Sequence, residues 1–243
     1  MEKSSKTPAL PPSATESFWV RNEFLIRRLH SLCGLVPVGA FMTVHLLTNA
    51  SVNAGSAAFQ KNVYMIHGLG PLLPIVEWVF IFIPLMFHAI LGVVIIRGGV
   101  PNTQNYPYRG NIRYTLQRVT GMIAFAFIMW HVFHMHGWFH GERWLAVARR
   151  FLGAQFAPYN ATSTAGAAMQ ASILIPILYS VGVLSSVFHF ANGIWTMGIT
   201  WGVWISPAAQ QRASYVCGAF GVFLAAVGLS AVVGFQRVDV DES

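Results

Sequence analysis

Residues 77–93 read E-W-V-F-I-F-I-P-L-M-F-H-A-I-L-G-V. Glu77 at the edge is the charged residue of this stretch, and His88 sits inside an apolar run that extends over about Ile75 to Ile96. Such a run approaches the roughly 20 residues needed to cross the hydrocarbon core of a bilayer. It has to be helical there, because lipid cannot satisfy free backbone groups. Four further runs share this character: about Leu32 to Ala50, Leu116 to Trp138, Ser172 to Trp195 and Val216 to Gly234. The pattern predicts an all-α, polytopic membrane protein of five transmembrane helices, the first four forming a bundle.

Composition points the same way. The chain is 55% hydrophobic and 9% charged, whereas soluble domains carry about 25% charged residues. Its formal net charge is +7, but most Lys and Arg lie between the apolar runs. That placement reads as topology and surface anchoring, not nucleic-acid binding. Cys33 and Cys217 each lie inside an apolar run, with no C-x-x-C-H motif. Covalent c-type haem is thereby excluded, and no cysteine cluster could hold an iron–sulfur centre in this chain. Two buried free thiols are expected.

Residues 1–20 are polar and rich in Pro and Ser, without the apolar core of a signal peptide. They are expected to form a flexible cytoplasmic tail, ahead of a membrane domain over 21–236 and a short outer tail over 237–243. Pro37, Pro84 and Pro176 fall within or near span ends, which membrane helices tolerate. The longest connection, 141–171, is expected to hold a short amphipathic or irregular segment outside the bilayer. Lys3, Lys6, Arg21, Arg27 and Arg28 precede the first span, and Arg97, Arg109 and Arg113 lie between spans two and three. The positive-inside rule therefore places the N-terminus in the cytoplasm and the C-terminus outside. Arg143, Arg149 and Arg150 dissent from this topology.

His45, His88, His131 and His189 fall one in each of the first four spans. Ionisable groups inside a membrane are expensive and default to a functional reading. A single such histidine is about as often a group hydrogen-bonded to a neighbouring helix. Counting helical rise from the span ends puts His45 and His131 in the outer half and His88 and His189 in the inner half. Two pairs at depths about 10–15 Å apart suit two bis-histidine haems stacked across the membrane. A zinc or copper site would gather its ligands at one depth. His88 and His189 each begin an H-x-x-x-G, with Gly92 and Gly193. Those glycines suit either the approach of a flat macrocycle or close helix packing.

Several segments then resemble one family, in order. They are F-L-I-R-R-L-H-S-L-C-G-L-V-P-V-G (24–39), V-H-L-L-T-N (44–49), 77–93 as quoted, L-Q-R-V-T-G (116–121), W-H-V-F (130–133), V-G-V-L-S-S-V-F-H-F-A-N-G-I-W (181–195) and W-G-V-W-I-S-P-A-A-Q-Q-R (201–212). Over about residues 22–235 the chain resembles the di-haem cytochrome b558-type membrane anchors of succinate dehydrogenases and fumarate reductases. The resemblance is closest to the type that reduces menaquinone. It implies two haems b, with His88 and His189 on the proximal haem and His45 and His131 on the distal one. It implies a flavoprotein with FAD and the dicarboxylate site, and an iron–sulfur subunit, both on the cytoplasmic face of a bacterial inner membrane. Electrons would pass from succinate through those partners and this chain to menaquinone.

Other polar residues take expected roles beside that frame. Glu77 is placed for proton exchange with a quinone near the distal haem, against the plain alternative of a solvated helix-start carboxylate. His30, Ser31, Gln117, Arg118, Asn192 and Trp195 share the cytoplasmic depth where haem propionates need cationic and hydrogen-bonding partners, Arg118 lying furthest into its span. Arg27 and Arg28 read first as positive-inside anchors. His134 lies one turn from His131 and could contact haem or quinone, while His136 and His140 read as interfacial. The main rival is a fumarate reductase anchor oxidising menaquinol. Some of those relatives carry a glutamate in span four, and 172–195 has no acid here. A cytochrome b of a hydrogenase or formate dehydrogenase would place its histidines differently. A histidine-relay transporter would need a continuous ionisable path, which spans one to four lack.

Overall fold

A computed structural model describes residues 18–99, 103–139 and 141–240. They form helices and connecting turns, without a strand among the described residues. Five helices are long and apolar enough to cross a membrane: α1 (Phe18–Ala54), α3 (Gly70–Arg97), α4 (Arg109–His136), α7 (Leu174–Thr200) and α8 (Pro207–Phe235). Three shorter helices join them: α2 (Ser56–His67), α5 (Glu142–Arg150) and α6 (Ala161–Gln170).

The helices outrun the apolar windows that announced them. α1 begins at Phe18, inside the 1–20 segment that composition assigned to the tail; the rest of that segment lies outside the described residues, as does His140. Hydropathy fell where Arg21, Arg27 and Arg28 enter, but backbone hydrogen bonding does not stop there. The Glu23 carboxylate accepts from Arg27 Nε at 2.8 Å one turn away, a pairing that supports the helix.

Two prolines coincide with wider turns. Pro37 lies inside a π-helical segment, Gly34–Gly39, and Pro84 follows another, Trp78–Phe82. Proline lacks an N–H and its ring collides with the carbonyl four residues back. Opening the spiral to i→i+5 bonding absorbs that mismatch without breaking the helix. α8 starts differently: Ser206 Oγ accepts from Ala209 N at 3.2 Å and Pro207 takes the first helical position. This is the arrangement in which a missing N–H is harmless.

α7 is the best-packed span, lying against α4 on one side and α8 on the other; Tyr179, Val183, Val187, Ala191 and Asn192 are among its buried residues. The end of the bundle where α1 and α8 finish is closed by a cap. There Phe59 and Val63 of α2, Ala161, Ala165 and Met169 of α6, and Ala231, Val232 and Phe235 of α8 share one core. Gln60 ties the cap together: Nε2 donates to Pro158 O and Oε1 accepts from Ala161 N, both at 2.7 Å. The Gln236 side chain donates to Met169 O, and Gln170 Nε2 donates to Val238 O at 2.9 Å. The described part of the 237–243 segment is therefore docked on α6.

The 141–171 connection contains α5 and α6, in line with the expected amphipathic segment. Just before it, Gly137 finishes α4. Gly137 adopts φ 78°, the left-handed conformation that favours glycine, and its N–H bonds back to Phe133 O at 2.9 Å. Ala154, Gln155 and Phe156 then donate to the carbonyls of Phe133, His134 and Met135 at 2.9–3.0 Å. These bonds satisfy carbonyls that a helix end leaves open.

Candidate functional site: two intramembrane histidine pairs

His88 of α3 and His189 of α7 stand with ring centres 6.0 Å apart and planes at 83°. His45 of α1 and His131 of α4 stand 5.8 Å apart at 72°. Gly121 faces His189 from α4, so about 15 Å of helical rise along α4 separates that contact from His131. The two pairs therefore occupy different levels of one bundle.

The first pair is anchored on backbone. His88 Nδ1 lies 2.9 Å from His30 O, and His189 Nδ1 lies 2.9 Å from Gln117 O. A carbonyl can only accept, so each Nδ1 carries the proton and each Nε2 keeps a free lone pair. Two glycines make these approaches possible. A Cβ on Gly34 would overlap the His88 ring, and one on Gly121 would lie 2.7 Å from His189 Cε1. The glycines of the two H-x-x-x-G motifs are less crowded. Cβ atoms at Gly92 and Gly193 would meet only His30 Nε2 and Gln117 Nε2, each at an ordinary 3.5 Å.

A polar network extends from His189. Gln117 Nε2 donates to His189 O at 3.0 Å, and Asn192 Nδ2 donates to Gln117 Oε1 at 2.7 Å. Arg113 Nε donates to Asn192 Oδ1 and Arg113 Nη1 to Ser214 Oγ, both at 2.8 Å. The Arg113 guanidinium also lies 3.7 Å from the centre of the Trp195 ring, and Trp195 Nε1 donates to Gln210 O at 2.8 Å. Gln117, Asn192 and Trp195 are thus brought together, and they bind one another and the backbone. Arg113 joins them, although the sequence marked it only as a loop charge.

Arg118 turns to α3, with Nη1 donating to Gly99 O at 2.9 Å, and it covers carbonyls at that helix end. Ser31 Oγ donates to Arg28 O at 2.9 Å and accepts from Trp201 Nε1 at 3.1 Å. The His30 ring stacks on His88, centres 4.1 Å apart and planes at 9°, and its Nε2 is buried without a hydrogen-bond partner. Glu77 is half-buried at the entry to the π-helical turn of α3, at the other end of that helix from His88.

The second pair carries a residue that sequence reading passed over. Tyr179 OH lies 3.1 Å from His131 Nδ1 and 2.9 Å from His134 Nδ1. His134 is fully buried and stacks on Trp130, centres 4.8 Å apart. Tyr179 sits beside Ser180 in a mostly apolar stretch of α7, where only a buried phenol's need for a partner would have flagged it.

The donor sets fit haem iron. No group of three or more His, Cys, Asp or Glu is placed to hold a metal among the described residues. A pair of imidazoles suits a metal whose remaining ligands are supplied by a planar macrocycle. Ring centres 6.0 and 5.8 Å apart leave room for one metal ion to be held by both imidazoles of each pair through bonds of about 2.0 Å. The buried Nε2 of His30 adds a polar atom free to bind a group beside the first pair.

Fold and site together define a multi-span membrane protein built around two intramembrane histidine pairs. No family model matches the chain. It is 37% identical over 213 residues to the succinate dehydrogenase cytochrome b558 subunit of Bacillus subtilis (strain 168), covering 88% of this chain and 97% of that protein. The chain belongs to the family of succinate dehydrogenase cytochrome b558 subunits.

Proposed function

We propose that the chain is the haem-bearing membrane anchor of a succinate:menaquinone oxidoreductase. His88 and His189 hold one haem b, and His45 and His131 hold a second. The observation that carries this reading is the pair of imidazole couples, 6.0 and 5.8 Å between ring centres, at separate levels of the bundle. The haems supply one-electron carriers, one behind the other, between an iron–sulfur partner and menaquinone. The protein's part would be to fix His88, His189 and His131 through Nδ1 with Nε2 free, to keep water from the iron and to set the potentials.

The His88–His189 level faces the cytoplasm, where a flavoprotein with FAD and an iron–sulfur subunit dock. His30 Nε2 is the best-placed partner for a propionate there, with Ser31 next to it. Gln117, Asn192 and Trp195 act one layer behind as the support of His189, and Arg118 holds the end of α3. Glu77 exchanges protons with menaquinone near the His45–His131 haem. The chain lies in a bacterial inner membrane with its N-terminus cytoplasmic and its C-terminus outside. α7 carries no carboxylate, which favours succinate oxidation over fumarate reduction.

The test is the pyridine haemochrome and the reduced-minus-oxidised spectrum of the purified complex, per mole of this chain. Two low-spin haems b are expected, and His88→Ala or His189→Ala should each remove the same one. A single haem would mean that one pair is misassigned, and none would end the electron-transfer reading.

A further inference from the structure

Tyr179 is 7% exposed, and its hydroxyl lies between two imidazoles, His131 Nδ1 at 3.1 Å and His134 Nδ1 at 2.9 Å. A phenol has one proton to give. If His131 uses Nε2 for iron, its Nδ1 carries a proton and must donate. The Tyr179 oxygen then accepts from His131, and its own proton goes to His134 Nδ1. This assignment satisfies the buried phenol proton, which would have no partner if the oxygen accepted from both rings.

The surroundings hold this chain in place. His134 is 2% exposed and stacked on Trp130 at 9°. Phe127 and Trp130 set their rings edge-on to Tyr179, at 5.4 and 5.3 Å between centres. Phe127 reaches α7 because Gly182 has no side chain, since a Cβ there would overlap the ring. At the other pair the same duty falls to the backbone carbonyls of His30 and Gln117.

We propose that Tyr179 is the positioning residue of the His131 ligand: its hydroxyl, oriented by His134, sets the angle and donor strength of that imidazole and so the potential of the haem it serves. The inference rests on the ligand assignment proposed above. An acceptor on Nδ1–H gives the ring more anionic character, strengthens the Nε2–iron bond and favours the oxidised metal. Donation to His134 makes the phenol oxygen a better acceptor, because hydrogen bonds in a chain polarise one another.

The experiment is a redox titration and an EPR spectrum of the intact complex carrying Tyr179→Phe. Both haems should remain. The haem whose signals disappear in His131→Ala should become easier to reduce by roughly fivefold, about 40 mV at 59 mV per tenfold for one electron. Its EPR g-values should move as the ring is released, while the other haem stays as in the parent. His134→Leu keeps the hydroxyl but removes its fixed acceptor, and should give a smaller rise of the same sign. A purely structural tyrosine would lower thermal stability and leave potential and g-values alone, which would overturn the proposal. So would movement only of the signals that His88→Ala removes. If Tyr179→Phe loses the haem outright, His134→Leu decides: a shift supports the proposal and an unchanged potential overturns it. A parent complex with fewer than two haems refutes the ligand assignment itself, and this inference falls with it.

Discussion

Replacing Gly121 by alanine would put a methyl group 2.7 Å from His189 Cε1 and 2.9 Å from its Nδ1. Carbon atoms in contact prefer about 3.5–4.0 Å, so the ring has to retreat by roughly 0.8 Å. It has little room to do so, because Nδ1 is bonded at 2.9 Å to Gln117 O on the same helix as Gly121. Overpacking of this kind costs about 1–3 kcal/mol, and the strained hydrogen bond adds about 1 kcal/mol. Together they weaken retention of one haem by about 30- to 700-fold at 1.4 kcal/mol per tenfold. The assay is haem content per chain after purification, with the spectrum identifying which haem is missing. Gly121→Ala should lose the His88–His189 haem and keep the other. Gly92→Ala is the control, since its new methyl group meets only His30 Nε2 at 3.5 Å, and it should keep both. Full haem content in Gly121→Ala would refute the steric argument. Equal loss in Gly92→Ala would show instead that the H-x-x-x-G glycines make room for the macrocycle.

Three other outcomes follow from distances and angles. The imidazole planes of the two pairs cross at 83° and 72°, an angle that would leave the two π-type d orbitals of an iron held between them close in energy. The oxidised complex should therefore show two strongly anisotropic low-spin EPR signals, and ordinary rhombic spectra would contradict these ring angles. Asn192→Leu removes the acceptor of Arg113 and the donor to Gln117. Leaving those groups unsatisfied costs about 2–4 kcal/mol, to be read as a lower thermal unfolding midpoint of the detergent-solubilised complex with earlier loss of the His189 haem. Gln60→Ala breaks both ties of the cap and should cost about 1–3 kcal/mol. Haem spectra should not change, and an altered haem signal would mean that the cap supports the ligands directly.

Residues 77–93 announced a membrane helix because bilayer physics is one-dimensional: length and apolarity suffice. The same logic located the four histidines, since a titratable group stands out against an apolar background. Depth counting could then pair them, because helical rise is nearly constant. What escaped was lateral. Gly34 and Gly121 matter because a ring on another helix lies over them, and Tyr179 matters because two histidines of α4 face it; neither fact has a period along the chain. Arg113 read as a loop charge because the apolar window began at Leu116, although the helix begins seven residues earlier at Arg109. The short helix α2 was missed, and α6 left within a segment read as amphipathic or irregular, for the opposite reason. Sequences such as A-T-S-T-A-G-A-A-M-Q are weakly patterned, and burial against the cap makes them helices.

The two pairs also differ in how their geometry can change under mutation. His88 and His189 lean on main-chain carbonyls, which every substitution at His30 or Gln117 retains, so the backbone itself guarantees the acceptor. His131 leans on a side chain that a single substitution can delete. A potential fixed by backbone dipoles is robust, and one fixed by a phenol and a buried imidazole is adjustable. On the proposed function, the two pairs would hold the same haem type on the same ligand type, and electron flow between them would be tuned by any difference in potential. With ligand identity held constant, hydrogen bonding to the ligands and burial would be the levers left, and the chain gives His88 and His189 a carbonyl partner but His131 a phenol.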